Sequence, residues 1–420
     1  MQHFHSKSSL KAQFTKGLVT SLIALIVGSN LALSHGFANN EQTAKKVDER
    51  LTGATSRFAF KLYEQILKRR TSENIFVSPA SAMMALAMTY NGADGETRKA
   101  MARALEIEGM SLEEVNQGFA DLKSALAPAD PKIQIKIANS LWARNGSTLK
   151  PEFMARNKQY FAAEIANLDF ADPSAAETIN SWVNKNTEGK IKKILDQIES
   201  DKFLYLINAI YFKGQWETEF KKALTKPDVF KLAGGEQKEV PMMSQSRRYL
   251  YYKGKNFQSV ALPYGKGSVS MYIFLPDEQI GLDQFERDLT PDNWDGWMQS
   301  YRVMPGEVKL PRFKVEWESF LNDELKALGM AEAFDSRANF SLMAELNSGN
   351  KLFISEVKQK TWCEVNEEGT VAAAVTAVGM STTSMPPPPF SMKVDHPFFF
   401  AIRENQTGLV LFMGSVTNPS

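Results

Sequence analysis

The chain has 420 residues, 43% hydrophobic and 23% charged, a balance ordinary for a globular protein with a large core. Lys plus Arg (49) nearly cancels Asp plus Glu (48), leaving a net charge of +1. No run of like charges exceeds a few residues, and the segment from Ser111 to Lys136 is mixed and mildly acidic. The sequence therefore predicts no nucleic-acid partner and no heparin-like polyanion site.

In chain order, Lys7, Lys11 and Lys16 precede an apolar stretch from Leu18 to Leu33, and Gly36-Phe37-Ala38 follows it. This is the layout of a secretory signal peptide with cleavage after Ala38. The alternative is a retained membrane anchor, but Ser21, Gly28, Ser29 and Asn30 interrupt the run and leave it short for a stable span. The expected organisation is a signal peptide over 1–38 and one domain over 39–420. The mature protein is expected outside the cytoplasm, extracellular or periplasmic, with no membrane association.

The first half of that domain is helix-rich. Leu51 to Lys68 carries apolar residues at helical spacing, and Ser78-Pro79-Ala80-Ser81 opens an apolar helix through Tyr90. Asp94-Gly95-Glu96-Thr97 leads into a helix ending near Leu105, and Thr178 to Lys193 reads as a further amphipathic helix. Ile133 to Trp142, Phe203 to Phe212, Val269 to Leu275 and Phe398 to Ile402 read as strands bounded by turn residues. The irregular order of helices and strands predicts an α+β domain with mixed or antiparallel sheets. No repeat or linker divides it.

Past Ala38 the chain holds one cysteine, Cys363, and one histidine, His396. An internal disulfide is excluded, and so are zinc sites built on several histidines. A Ser-His-Asp machine needs an imidazole that shuttles protons. The one available lies in Asp395-His396-Pro397-Phe398-Phe399-Phe400, which reads as a buried strand. A Cys363–His396 nucleophile pair is disfavoured for the same reason. No metal or cofactor is expected, and the poverty in histidine argues against hydrolase chemistry.

The most unusual segment comes late. From Gly369 to Met392 there is no charged residue, and the small-residue run Thr370-Val371-Ala372-Ala373-Ala374-Val375-Thr376 is followed by the four prolines Pro386 to Pro389. Taken alone, the Ala/Val/Thr run fits a buried strand or helix. The prolines force a stiff extended spacer. Together they suit a segment that is sometimes exposed and sometimes a buried strand.

These residues carry a family resemblance. Glu367-Glu368-Gly369-Thr370 with its alanines, and Met392-Lys393-Val394-Asp395-His396-Pro397-Phe398-Phe399-Phe400-Ala401-Ile402, resemble the loop hinge and C-terminal signature of the serpins. Asn74-Ile75-Phe76-Val77-Ser78-Pro79-Ala80-Ser81 and Asn208-Ala209-Ile210-Tyr211-Phe212-Lys213-Gly214-Gln215-Trp216 resemble two further serpin blocks, in the family's order and spacing.

The resemblance implies a metastable fold of three sheets and about nine helices, with an exposed reactive-centre loop over about 367–390. It implies a monomeric, single-use inhibitor that forms a covalent complex with a target serine protease. The protease attacks the loop as an acyl-enzyme, and the cut loop then inserts into the central sheet; strain-releasing loop insertion is a general property of serpins. The hinge is Glu367, Glu368, Gly369, Thr370, Val371, Ala372, Ala373 and Ala374, with Val371 standing where an acidic residue is frequent. Thr370, Ala372, Ala374 and Thr376 would share one face of the inserted strand, and all are small. About 14 inserted residues span about 46 Å at strand rise.

Counting sixteen positions on from Glu367, the usual family spacing, puts the reactive bond at Thr383-Ser384. A slip to Thr382 stays open. Met380-Ser381 would shorten the arm, and Met385 precedes Pro386. A small β-branched residue before the cut suits an elastase-like or subtilisin-like pocket. By resemblance, Trp216, Arg312 and Glu367 form the cluster where the loop enters the sheet, with an Arg312–Glu367 ion pair holding the loop out. Ser78, Ser81, Asn208 and Gln359 form the cluster through which strands part, Gln359 replacing the family's usual histidine. The alternatives are a non-inhibitory serpin, a carrier or chaperone, and a secreted enzyme. Bulky or charged hinge residues mark the former, and this hinge has neither.

Overall fold

A computed structural model of the chain describes residues 47–69, 73–126, 130–346, 351–370 and 390–419. Helix α1 (Glu49–Leu67) starts where the Asp48 carboxylate accepts from the Arg50 N–H, and it buries Leu51, Phe58, Leu62 and Ile66 along one stripe. After strand β1 (Ile75–Val77), Ser78 accepts from the Ser81 N–H to cap α2 (Pro79–Tyr90). Pro79 takes the first turn, where a missing N–H costs nothing. Every residue of α2 is buried, matching its lack of a polar face. Asp94 caps α3 (Gly95–Ala104), and α4 (Leu112–Leu126) precedes the long strand β2 (Ile133–Arg144).

Next come β3 (Ser147–Leu149), α5 (Pro151–Phe161), β4 (Glu164–Leu168), α6 (Ala175–Asn186) and β5 (Leu204–Gln215). The spacing predicts α6 over Thr178–Lys193, but the helix begins at Ala175 and stops at Asn186. There the Thr187 hydroxyl donates back to the Val183 carbonyl and accepts from the Ile191 N–H, while Glu188 and Gly189 take positive φ.

The second half is mainly strand: β6 (Lys226–Lys231), β7 (Gln237–Lys253), β8 (Phe257–Tyr264) and β9 (Val269–Pro276). Two helices, α7 (Gly281–Arg287) and α8 (Pro291–Ser300), lead to β10 (Arg302–Pro311), β11 (Phe313–Phe320), the single turn α9 (Asn322–Leu325) and β12 (Ala344–Leu346). The chain closes with β13 (Glu356–Asn366), β14 (Gly369–Thr370), β15 (Phe390–Lys393), β16 (Phe398–Glu404) and β17 (Val410–Val416).

Among the described residues these make nine α-helices and three sheets. The nine-stranded sheet runs β1-β17-β16-β9-β8-β7-β10-β15 with β6 on β7; the six-stranded sheet runs β11-β13-β14-β5-β2-β4; β12 pairs β3. The main core lies between the two large sheets, where Phe76 stacks on Phe412 at 4.8 Å and on Phe400 at 5.4 Å. A second cluster packs Ile179 and Val183 of α6 against Trp142, Tyr205, Tyr211 and Trp362 on the other face of the six-stranded sheet. Strand β5 is thus covered on both faces, which is why it reads as a continuous apolar run rather than an alternation.

Candidate functional site

The site is built where β5 and β13 separate. From Glu356 to Trp362, β13 pairs β5 in parallel, register Glu356↔Tyr205 through Trp362↔Tyr211. Above that the strands part and β14 lies between them. Gly369 and Thr370 face Gln215 and Gly214 on β5, and Asn366 and Val365 on β13. The reversal from β13 into β14 is a tight turn in which the Asn366 side-chain oxygen accepts from the N–H groups of Glu368 (3.0 Å) and Gly369 (3.3 Å). Gly369 has φ +146°, and a Cβ there would sit 2.0 Å from the Gly214 carbonyl oxygen. No other residue fits.

The root of the turn is tied down on each side. Arg312 donates from Nε to Glu367 Oε2 (2.9 Å) and from Nη2 to Oε1 (2.6 Å), a bidentate pair. The Thr225 hydroxyl adds a third donor at 2.5 Å, and the Glu367 side chain is 2% exposed. Burial alone would raise the Glu367 carboxyl, but the Arg312 and Thr225 donors outweigh it and hold the group below its ordinary range. Lys222 pairs Glu368 at 2.6 Å, and the backbone N–H groups of Trp216 and Phe220 donate to the Glu368 and Glu367 carbonyls. The Trp216 indole N–H donates to the Asn366 carbonyl at 2.9 Å.

Trp216, Arg312 and Glu367 therefore meet as one cluster. The ion pair anchors the upper end of β13, while the residues just beyond it, Gly369 and Thr370, run into the sheet instead of being held out of it. Sequence reasoning passed over Tyr264. Its ring stacks on Trp216 at 4.4 Å, and its hydroxyl meets the Thr370 hydroxyl at 2.7 Å.

The second predicted cluster lies lower, under the closed part of the strand pair. The Gln359 amide accepts from the Ser78 N–H and donates to the Ser78 carbonyl, each at 2.9 Å, and donates to Asn208. Asn208 in turn donates to the Ser81 hydroxyl and to Asn139. Ser78, Ser81, Asn208 and Gln359 are almost fully buried, so each polar atom depends on the others. Asn139 was also missed by sequence reasoning. It stands opposite Asn208 in the β2–β5 register, where a polar residue in an apolar strand is the available signal.

Val371, Ala372, Ala373, Ala374, Thr383 and Ser384 lie outside the described residues, as does the segment 1–38 expected to be a signal peptide. Cys363 is buried in β13, its thiol pushed up by desolvation, with the nearby Thr370 hydroxyl opposing the rise. His396 is not within a strand: it lies in the turn before β16, between the Asp395 carboxylate (2.9 Å) and the Pro276 carbonyl (2.7 Å). The two do not meet as a nucleophile pair. Among the described residues no group of three His, Cys, Asp or Glu could hold a metal ion, and no helix is long and apolar enough to cross a membrane.

The family model described as serpin (serine protease inhibitor) matches residues 53–419. The chain belongs to the serpin family. Leukocyte elastase inhibitor of Bos taurus is 38% identical over 384 residues, covering 88% of this serpin and all of that protein. The Homo sapiens protein of the same name is 35% identical with the same coverage of each chain. Among solved structures, the native state of the thermophilic serpin tengpin superposes with a TM-score of 0.83 at 34% identity, covering 89% of this chain and 95% of that one. Thyroxine-binding globulin in complex with thyroxine matches with a TM-score of 0.80 at 26% identity, covering 88% and 99%. The serpin fold expected from the sequence is the one found, and membership places the chain with protease inhibitors rather than enzymes.

Proposed function

We propose that this serpin is an irreversible suicide-substrate inhibitor of serine proteases with elastase-like or subtilisin-like preference. The observation that carries the reading is the seating of Gly369 and Thr370 between β5 and β13, in register for more strand to follow. Continued on insertion, the register of Gly369 and Thr370 would bring Ala372 opposite Phe212 and Cys363, Ala374 opposite Ile210 and Thr361, and Thr376 between Asn208 and Gln359. The first two positions, lined by Phe212, Cys363, Ile210 and Thr361, would take a methyl group. The third is the polar cluster, and takes a hydroxyl. Bulk or charge at any of them would oppose entry.

In the reaction, the protease serine attacks the Thr383 carbonyl, the peptide chain beginning at Ser384 leaves, and an acyl-enzyme remains. Two fates compete: water hydrolyses the ester, or the freed arm inserts and drags the tethered protease away. A carrier role finds no support in the small, uncharged run from Gly369 to Thr376. The protein is read as a monomer without cofactor, exported after cleavage behind Ala38. N-terminal sequencing of the exported form should begin at Asn39.

The test is incubation with a pancreatic elastase and with subtilisin, followed by denaturing electrophoresis and mass analysis. A denaturant-stable complex, a released peptide starting at Ser384 and a rise in thermal stability are expected. Clean turnover cleavage with no complex would overturn the reading.

A further inference from the structure

Thr370 does not simply reach the edge of the sheet; it is received there. Its hydroxyl meets that of Tyr264, which stands on β8 in the opposite sheet, and the Cys363 thiol of β13 lies close by. All three side chains are fully buried. Tyr264 is fixed by its stack on Trp216 and by an edge contact with Phe212 at 5.0 Å. Trp216 itself holds the Asn366 carbonyl at the start of the turn. The two stacked rings thus bracket the Asn366–Thr370 reversal, one at each end.

We propose that Tyr264 is a positioning residue for loop insertion: it docks Thr370 in the uncleaved chain, so that insertion starts from a strand already seated two residues deep. On the inhibitory reading, insertion races hydrolysis of the acyl-enzyme. A seated start spares the arm the search for the gap and the nucleation of its first backbone pairs, so docking favours trapping over release. Cys363, the sole cysteine of the chain, is fully buried near the docked hydroxyl, so undocking of Thr370 should uncover it.

Two variants remove the contact from opposite sides with little change in shape, Tyr264→Phe and Thr370→Val. The mature chain is treated with an aromatic disulfide reagent. The Cys363 thiolate displaces thionitrobenzoate from it and keeps the other half as a mixed disulfide, which gives a colour change without any protease. Losing one buried neutral hydrogen bond should speed labelling about fivefold in either variant. The double variant should label no faster than the faster single. The number of inhibitor molecules consumed per protease trapped should rise by a similar factor, with the thermal midpoint of each single variant nearly unchanged. Labelling within twofold of the parent in both variants would overturn docking. Faster labelling with unchanged partition would overturn the positioning role. Because the thiol measurement needs no protease, failure of docking is told apart from failure of the inhibitory reading.

Discussion

Along Tyr205–Tyr211 strand β5 bonds directly to β13, whereas at Gly214–Gln215 the same two strands are held apart by Gly369–Thr370. The lower contact rests on hydrogen bonds beneath the strands, among Ser78, Asn208 and Gln359. The upper one rests on rings and ion pairs that grip the intruding turn. The difference teaches how a sheet can be firm and yet divisible. Parting strands joined by interdigitated apolar side chains would open a cavity, and each cavity costs roughly 24 cal/mol per Å³. Parting a buried polar cluster costs little if the newcomer brings its own hydroxyl, because the exposed groups are satisfied again.

The comparison breaks most severely at its upper end. In Thr370→Arg a guanidinium would have to enter a site that is fully buried, where the present side chain meets the Tyr264 hydroxyl. An unpaired buried charge costs several kcal/mol, so the hinge is expelled and insertion cannot start. Protease should then cut the loop and leave. The expected result is loss of complex by more than tenfold, with cleavage of the loop retained, read as the ratio of complex to cleaved band on a denaturing gel. A complex yield equal to that of the parent would show that the upper seat is dispensable.

The lower end is sharpened by a smaller change, Gln359→His. Gln359 both accepts from and donates to the Ser78 backbone, and it has no charge to gain or lose. A neutral imidazole can copy one donor and one acceptor, but its protonated form offers no acceptor to the Ser78 N–H. Burial and that lost acceptor both depress the folded-state pKa of the new histidine below about 6.5. The unfolded chain then binds the proton more readily, so stability is intact above pH 6.5 and falls as the pH drops through the window below it. A loss of about 1–2 kcal/mol at pH 5 relative to pH 7.5 is expected in the variant only, by denaturant titration at both values. Equal losses in parent and variant would remove Gln359 from the lower contact.

The two ends were unequally legible in the sequence. Ser78-Pro79 and Asp94-Gly95 announced their helices because capping is local chemistry. The end of α6 was misplaced because amphipathic spacing continued past Asn186, while the stop came from the Thr187 hydroxyl and two positive φ values. Strand β7 escaped notice because Gln245, Ser246, Arg247 and Arg248 interrupt any apolar alternation, although backbone pairing to β10 covers them. At the site, Arg312 and Glu367 are named by family resemblance, as are Ser78 and Gln359. Tyr264 and Asn139 are not. Tyr264 acts on Thr370 across 106 positions and between two sheets, and no local pattern encodes such a contact. The direction of the loop at Gly369 was missed for a related reason, since it follows from the fit of one glycine against the Gly214 backbone.

The smallest expected effect lies outside both ends and serves as their control. In a chain beginning at Asn39, His396 is the single imidazole. Burial would lower its pKa, but Asp395 at 2.9 Å and the Pro276 carbonyl at 2.7 Å outweigh it, and the group is raised above its usual value. Both neighbours are acceptors, so both ring nitrogens donate and the protonated ring is the one that fits. The sign is therefore opposite to that at Gln359→His. The contribution is fully present below the unfolded value of about 6.5 and is lost as the pH rises through the higher folded value. The parent should lose stability across that rise, by less than the change expected at Gln359→His, and His396→Gln should abolish the slope without altering complex formation. A slope that survives in His396→Gln would have to come from another group. One that vanishes together with inhibition would tie the turn before β16 to the motion of β5 and β13, away from its hydrogen-bond partners Asp395 and Pro276.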